Sequence, residues 1–173
     1  MHELILGGAR SGKSAHGERL AAQSDGEVTY IATAQVHDDS EMYTRIKAHQ
    51  ARRPAHWALV EAPLALGDAI ACHARPDRLL LVDCLTLWLT NLLLEGEERF
   101  VQERARLLEA LSAAPGRVLM VSNEVGQGVV PMNALSRRFV DEAGRLHQAL
   151  AEHCQRVWWV VAGLPQCLKG DRA

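Results

Sequence analysis

Eight residues near the start of the chain constrain it most: Gly7-Gly8-Ala9-Arg10-Ser11-Gly12-Lys13-Ser14. They match the G-x-x-x-x-G-K-[ST] phosphate-binding loop at every fixed position. Leu4-Ile5-Leu6 before them is an apolar run that reads as a buried strand, and Lys13–Gln23 after them reads as a helix. Glycines let backbone N–H groups turn toward an anion, and a helix N-terminus adds a partial positive charge. Lys13 has the reach for β and γ phosphates, and Ser14 has the hydroxyl for Mg²⁺. A plain glycine turn would not need this strand-loop-helix context. The loop implies a nucleoside triphosphate but does not name the reaction.

The rest of the chain supplies a matching scaffold. Leu4–Leu6, Val28–Ala32, Ala58–Val60, Leu79–Val82, Val118–Val121 and Val157–Val161 read as strands. Helical patterns fall at Lys13–Gln23, Ser40–Arg53, Leu64–His73, Thr86–Leu94, Glu98–Leu111 and Ala134–Cys154. This alternation predicts an α/β fold, P-loop NTPase-like, with a mainly parallel β-sheet flanked by helices. The strands are almost continuously apolar, as helices on both faces require. Pro54, Pro63, Pro76, Pro115-Gly116 and Pro131 fall between the elements. A chain of 173 residues without a low-complexity linker is expected to form one domain, spanning 1–173.

Composition narrows the partners. A formal charge of −2 argues against a general nucleic-acid binder. No apolar stretch reaches the roughly 18 residues of a membrane span. The chain runs straight into the first strand, so no secretory signal is expected and the cytoplasm is the default location. Cys72, Cys84, Cys154 and Cys167 form no C-x-x-C pair, so neither a disulfide framework nor structural zinc is expected. Cys84, beside an apolar run, reads as a core residue.

Four features could carry chemistry beyond the loop. Leu79-Leu80-Leu81-Val82-Asp83 is an apolar strand ending in a carboxylate, the form that holds Mg²⁺ beside a phosphate-loop serine. The 40–53 helix holds Arg45, Lys47, His49, Arg52 and Arg53, with Arg45, His49 and Arg52 or Arg53 on one face. That face is either solvated or meets a polyphosphate; neighbouring cations would keep His49 neutral and nucleophilic. Glu61 ends a short strand and is either a surface carboxylate or an acceptor for guanine N1–H and N2–H. Asn123 to Asn133 is glycine-rich, follows a buried strand and carries Glu124. It is either a flexible connection or part of a ligand site beyond the strand ends.

The whole pattern resembles a known family. Besides the phosphate loop, the chain contains Tyr30-Ile31-Ala32-Thr33-Ala34, Arg45-Ile46-Lys47-Ala48-His49 and Arg53-Pro54-Ala55-His56-Trp57. Ser122-Asn123-Glu124-Val125-Gly126-Gln127-Gly128-Val129-Val130-Pro131, Arg138-Phe139 and Asp141 to Gly144 follow in order. These are similar to the bifunctional adenosylcobinamide kinase/adenosylcobinamide-phosphate guanylyltransferases of cobalamin synthesis. The resemblance implies phosphorylation of adenosylcobinamide by ATP or GTP. It also implies GMP transfer from GTP through a guanylyl-histidine, giving adenosylcobinamide-GDP and pyrophosphate. It places the nucleophile on His49, in an Arg-Ile-x-x-His context, with Lys13 serving phosphoryl transfer. It assigns nucleotide contacts to Gly7, Gly8, Ala9, Arg10, Ser11, Gly12, Lys13, Ser14, Ala32, Thr33, Ala34, Gln50, Ala51, Arg52, Arg53, Glu61 and Asp83. Mg²⁺ would sit at Ser14 and Asp83. A homo-oligomer, a trimer, is implied by resemblance alone.

Two other readings are distinguishable. A single-activity small-molecule kinase would need the phosphate loop and Asp83 but not His49. A GTP-dependent switch commonly reads guanine through N-K-x-D. Here the three lysines are Lys13, Lys47 and Lys169, and the one Lys-x-Asp, Lys169-Gly170-Asp171, follows Leu168. No motif announces a corrin site.

Overall fold

The computed structural model describes residues 1–35 and 54–170. Seven strands form one sheet: β1 (His2–Gly7), β2 (Glu27–Ala32), β3 (Ala58–Glu61), β4 (Arg78–Asp83), β5 (Arg117–Asn123), β6 (Arg156–Val161) and β7 (Leu164–Lys169). Five described helices accompany them: α1 (Lys13–Ala22), α2 (Leu66–His73), α3 (Leu85–Glu95), α4 (Glu97–Ala113) and α5 (Ala134–His153). The predicted 40–53 helix lies outside the described residues.

The strand order is β3-β2-β4-β5-β1-β6-β7. All neighbours are parallel except β7, which pairs antiparallel with β6. β1 thus lies between β5 and β6, and strands to either side of it are reached by opposite crossings. That is the place where an α/β sheet opens a crevice beyond its carboxyl ends.

Alternation along the strands explains the two-sided core. Leu4, Leu80, Val82, Val118 and Met120 face α2 to α5, where they meet Leu66, Ile70, Leu89, Leu107 and Leu146. Ile5, Leu79, Leu81, Leu119 and Val121 face the other side, where Ala21 of α1 joins them. Each large apolar side chain removed from water contributes about 1.5–3 kcal/mol. Trp88 is the largest fully buried one, and its Nε1 donates to Leu64 O at 2.7 Å, so no polar atom of the indole is stranded.

α1 lies close to the sheet because Gly17 has no side chain. A Cβ there would come within 3.2 Å of both Leu81 and Val121. The helix is therefore seated over β1, β4 and β5, with its N-terminus toward their carboxyl ends.

Element ends shift by one or two residues from the sequence expectation, and one strand is added. α2 begins at Leu66 rather than Leu64, since Leu66 N closes a turn on Leu64 O at 2.9 Å and Ala65 is the cap. β7 was not foreseen. It forms a hairpin with β6 through Ala162 (φ 51°) and Gly163 (φ 78°), both left-handed as a two-residue hairpin turn requires. Pro165 is tolerated because β7 is an edge strand.

Candidate active site

The phosphate loop crosses from the carboxyl end of β1 to α1. Arg10 (φ 55°) and Gly12 (φ 94°) are left-handed, a backbone reversal that turns successive N–H groups into a concavity. Gly12 is the N-cap of α1, and no side chain among the described residues caps the helix. Its first N–H groups are therefore presented where an anion gains most from the helix dipole. His16 N bonds Gly12 O at 2.9 Å and starts the helix. Lys13 is buried, and its Nζ donates to Gly8 O at 2.9 Å, folding the side chain back along the loop.

Neighbouring backbone braces the loop tightly. Glu124 N donates to Gly7 O at 3.0 Å, and Gly163 N donates to Ser11 O at 2.7 Å. A Cβ on Gly7 would fall 2.5 Å from Val160 O, and one on Gly12 would fall 3.0 Å from Gly163 Cα. Gly7 is thus required by close approach, and Gly12 by close approach and by its left-handed torsion angle. The Ala162-Gly163 turn is a supporting part that sequence reasoning missed, since Ala-Gly is a weak hairpin signal.

Ser11 Oγ is buried with no hydrogen-bond partner among the described residues. An unmatched buried hydroxyl costs about 1–3 kcal/mol. Its position inside the loop fits a site that receives an oxygen-rich anion.

Asp83 ends β4, one strand beyond β5. By alternation it shares the face of Leu81. Leu81 lies against Gly17 of α1. One helical turn before Gly17 is the Lys13–Ser14 start of the helix, and two residues beyond Leu81 is Asp83. Strand and helix therefore bring Ser14 and Asp83 to the same end of the sheet. A hydroxyl and a carboxylate are hard oxygen donors that suit Mg²⁺ shared with phosphates.

Ala32 is the last residue of β2, and Thr33 and Ala34 follow it. Thr33 is fully buried, and its polar groups are already engaged. Its hydroxyl donates to Cys84 O at 2.7 Å and accepts from Cys84 N at 2.9 Å, while Asn91 Nδ2 donates to Thr33 O at 2.9 Å. This clamp fixes the segment just after Asp83. Ala32 O accepts from Ala62 N at 2.8 Å, and Glu61 is exposed at the end of edge strand β3, in register with Ala32. Arg45, His49, Gln50, Ala51, Arg52 and Arg53 lie outside the described residues.

Two other histidines stand near this end of the molecule. His16 is buried edge-on to Trp158, with ring centroids 5.1 Å apart, and its Nδ1 faces Arg19 Nη2 at 3.1 Å. Burial lowers its pKa, with the Arg19 charge acting in the same direction and Glu3 opposing. His147 is buried 2.7 Å from Ser122 Oγ through Nε2. Burial lowers its pKa as well, with the Glu124 charge opposing. Neither ring is presented to the crevice as a nucleophile.

Comparison with known proteins agrees with this architecture. The chain is 9% identical to a Pyrococcus horikoshii OT3 protein, PH0250, over 99% of this chain and 87% of that one, with a TM-score of 0.56. A type III secretion system ATPase from pathogenic bacteria is 12% identical, with a TM-score of 0.55 over 96% of this chain and 56% of that one. These likenesses concern the fold alone. The "bifunctional adenosylcobalamin biosynthesis protein CobP" of Pseudomonas aeruginosa is 61% identical over 99% of both chains. The CobU proteins of Salmonella typhimurium and Escherichia coli carry the same description and are 43% and 41% identical, each over 93% of this chain and 96% of their own. Residues 3–168 match the family described as cobinamide kinase / cobinamide phosphate guanyltransferase, and the chain belongs to that family.

Proposed function

We propose that this chain, acting as one domain, catalyses two consecutive reactions of cobalamin synthesis. It phosphorylates the aminopropanol hydroxyl of adenosylcobinamide with ATP or GTP. It then transfers GMP from GTP to that phosphate, giving adenosylcobinamide-GDP and pyrophosphate. The observation that carries the nucleotide half is the uncapped, glycine-braced start of α1 at the switch point of the sheet. Family membership carries the choice of acceptor.

The phosphate loop, Gly7 to Ser14, cradles the triphosphate. Lys13 offsets the charge that develops on the transferring phosphoryl group. Ser14 and Asp83 are the residues that would hold Mg²⁺, which neutralises the β and γ oxygens when bound. Ala32, Thr33, Ala34, Gln50 to Arg53 and Glu61 are the further nucleotide contacts that family resemblance assigns. The Thr33 side chain serves the fold as well.

His49 is the nucleophile of the second reaction. A neutral imidazole nitrogen attacks the α-phosphorus of GTP, and the bond to the α,β-bridging oxygen breaks. Pyrophosphate leaves with that electron pair. An oxygen of the adenosylcobinamide phosphate then attacks the same phosphorus and returns the electron pair to imidazole. Arg45, Arg52 and Arg53 stabilise the charge on the leaving group.

The chain works in the cytoplasm as a trimer, on this reading. No helix among the described residues is long and apolar enough to cross a membrane. Val129, Val130, Met132, Leu164 and Leu168 are exposed apolar side chains that contact between copies would cover.

Incubation with GTP labelled at the α-phosphorus separates this reading from a single-activity kinase. The wild-type protein acquires a covalent GMP, and His49→Ala acquires none while still phosphorylating adenosylcobinamide. An unlabelled wild-type protein would favour the kinase, and a labelled His49→Ala would remove His49 as nucleophile.

A further inference from the structure

The first reaction needs a place for the alcohol beside the phosphate loop and a group to take its proton. A cleft of about 650 Å³ runs along that loop. Gly8 to Ser11 form one wall, Glu124, Val125 and Gln127 another, and Val160 to Ala162 a third. Its lining contains two ionisable side chains, Arg10 and Glu124. Arginine stays protonated in proteins and cannot accept a proton. Glu124 is therefore the one candidate base among the described cleft residues.

The local structure holds this carboxylate in place. Glu124 follows β5, the strand beside β1, and its backbone N–H is tied to Gly7 O at 3.0 Å. Its Oε1 accepts from Gly126 N at 2.7 Å, and Gly126 lacks a Cβ that would sit 3.0 Å from that oxygen. Oε2 takes no hydrogen bond among the described residues. The charge also acts on His147, which is itself occupied by Ser122. One oxygen is thus fixed by the turn and the other is left for a donor.

We propose that this cleft receives the hydroxyl-bearing arm of the acceptor and that Glu124 is the general base of the phosphoryl-transfer step. The assignment rests on the two-reaction reading above. The acceptor oxygen bonds to the γ-phosphorus as the bond to the β,γ-bridging oxygen breaks. The hydroxyl proton passes to Glu124 Oε2, and the nucleoside diphosphate leaves with the electron pair. In the second reaction a phosphate oxygen attacks and no hydroxyl proton is released. Glu124 is then dispensable, so the two half-reactions should respond differently to its loss.

The test measures Glu124→Gln in two separate assays. One follows phosphorylation of adenosylcobinamide by ATP; the other follows GMP transfer from GTP to adenosylcobinamide phosphate. The glutamine carbonyl can still accept from Gly126 N, so the turn is kept. Phosphorylation should fall by about 10²–10⁴-fold. GMP transfer should stay within about threefold, which also reports a folded protein, and Glu124→Asp should recover part of the lost rate. Wild-type phosphorylation by Glu124→Gln would overturn the assignment, and so would equal loss of both reactions. A wild-type protein that phosphorylates no adenosylcobinamide would instead break the functional reading on which the assignment rests.

Discussion

Strands β1, β5 and β6 finish in opposite ways at their two ends. At the amino end, Glu3 of β1 is fully buried, yet every contact it needs comes from its neighbours. Arg117 of β5 donates to Glu3 Oε1 through Nε at 2.9 Å and Nη2 at 2.5 Å, and Trp158 Nε1 of β6 donates to Oε2 at 2.7 Å. At the carboxyl end the same three strands lead into the phosphate loop, the 124–128 turn and the hairpin. There, among the described residues, Ser11 Oγ is buried and unmatched and α1 begins without a side-chain cap. One end uses charge to lock strands together; the other presents polar groups to a ligand. Stability and chemistry are divided along the length of the same strands, and mutation should separate them.

The largest separation is expected at Glu3. Glu3→Ala leaves the Arg117 guanidinium and the Trp158 indole without their acceptor, and breaking a buried pair this way costs about 3–5 kcal/mol. Urea unfolding should register that loss, while turnover of the molecules still folded stays near wild type. A proportionate loss of turnover in folded protein would erase the distinction between the ends.

Lys13→Ala is the converse. Loss of one preorganised charge at a transferring phosphoryl group removes about 2.7–4 kcal/mol of transition-state stabilisation, or about 10²–10³-fold in turnover. The kinase rate measures it, and the unfolding midpoint should move far less than in Glu3→Ala. Near-normal turnover would exclude Lys13 from the chemistry.

A smaller effect comes from three buried histidines at both ends of the sheet. The pKa values of His2, His16 and His147 lie below the ordinary imidazole value, in each case chiefly because burial disfavours the charged ring. Between the folded value and about 6.5 the unfolded chain binds more protons than the folded one. Stability from these rings is therefore complete above about pH 6.5 and declines as pH falls below it, by at most about 1.4 kcal/mol per pH unit for each ring. Urea unfolding at pH 7 and pH 5.5 should show the decline, and His147→Gln should reduce it. An unchanged slope in His147→Gln would place the pH dependence elsewhere.

Much of this architecture was legible in the residues. The six expected strands and the five helices within the described residues occur where apolar periodicity put them, because buried parallel strands and one-faced helices leave strong patterns. The phosphate loop was legible because Gly7 answers to a close approach and Gly12 to both a close approach and a fixed torsion. Strand order was not, since sequence alternation is compatible with several crossings. β7 was hidden by Pro165 and by its exposure at the sheet edge, where no apolar alternation is demanded. The contribution of Gly163 to the loop depends on its contact with Ser11, 152 positions away, and the opposite end depends on the contact between Glu3 and Trp158, 155 positions apart. Asp83 could be named from its strand, but its alignment with α1 required Gly17 and Leu81 together. Thr33 came from resemblance, and its bonds to Cys84 add a structural task that resemblance did not suggest.

The most direct measurement of the account is the mass of the corrinoid after incubation of the wild-type protein with adenosylcobinamide, GTP and Mg²⁺. The two-reaction reading predicts adenosylcobinamide-GDP with release of pyrophosphate. Recovery of adenosylcobinamide phosphate alone, or of unaltered adenosylcobinamide, would contradict it.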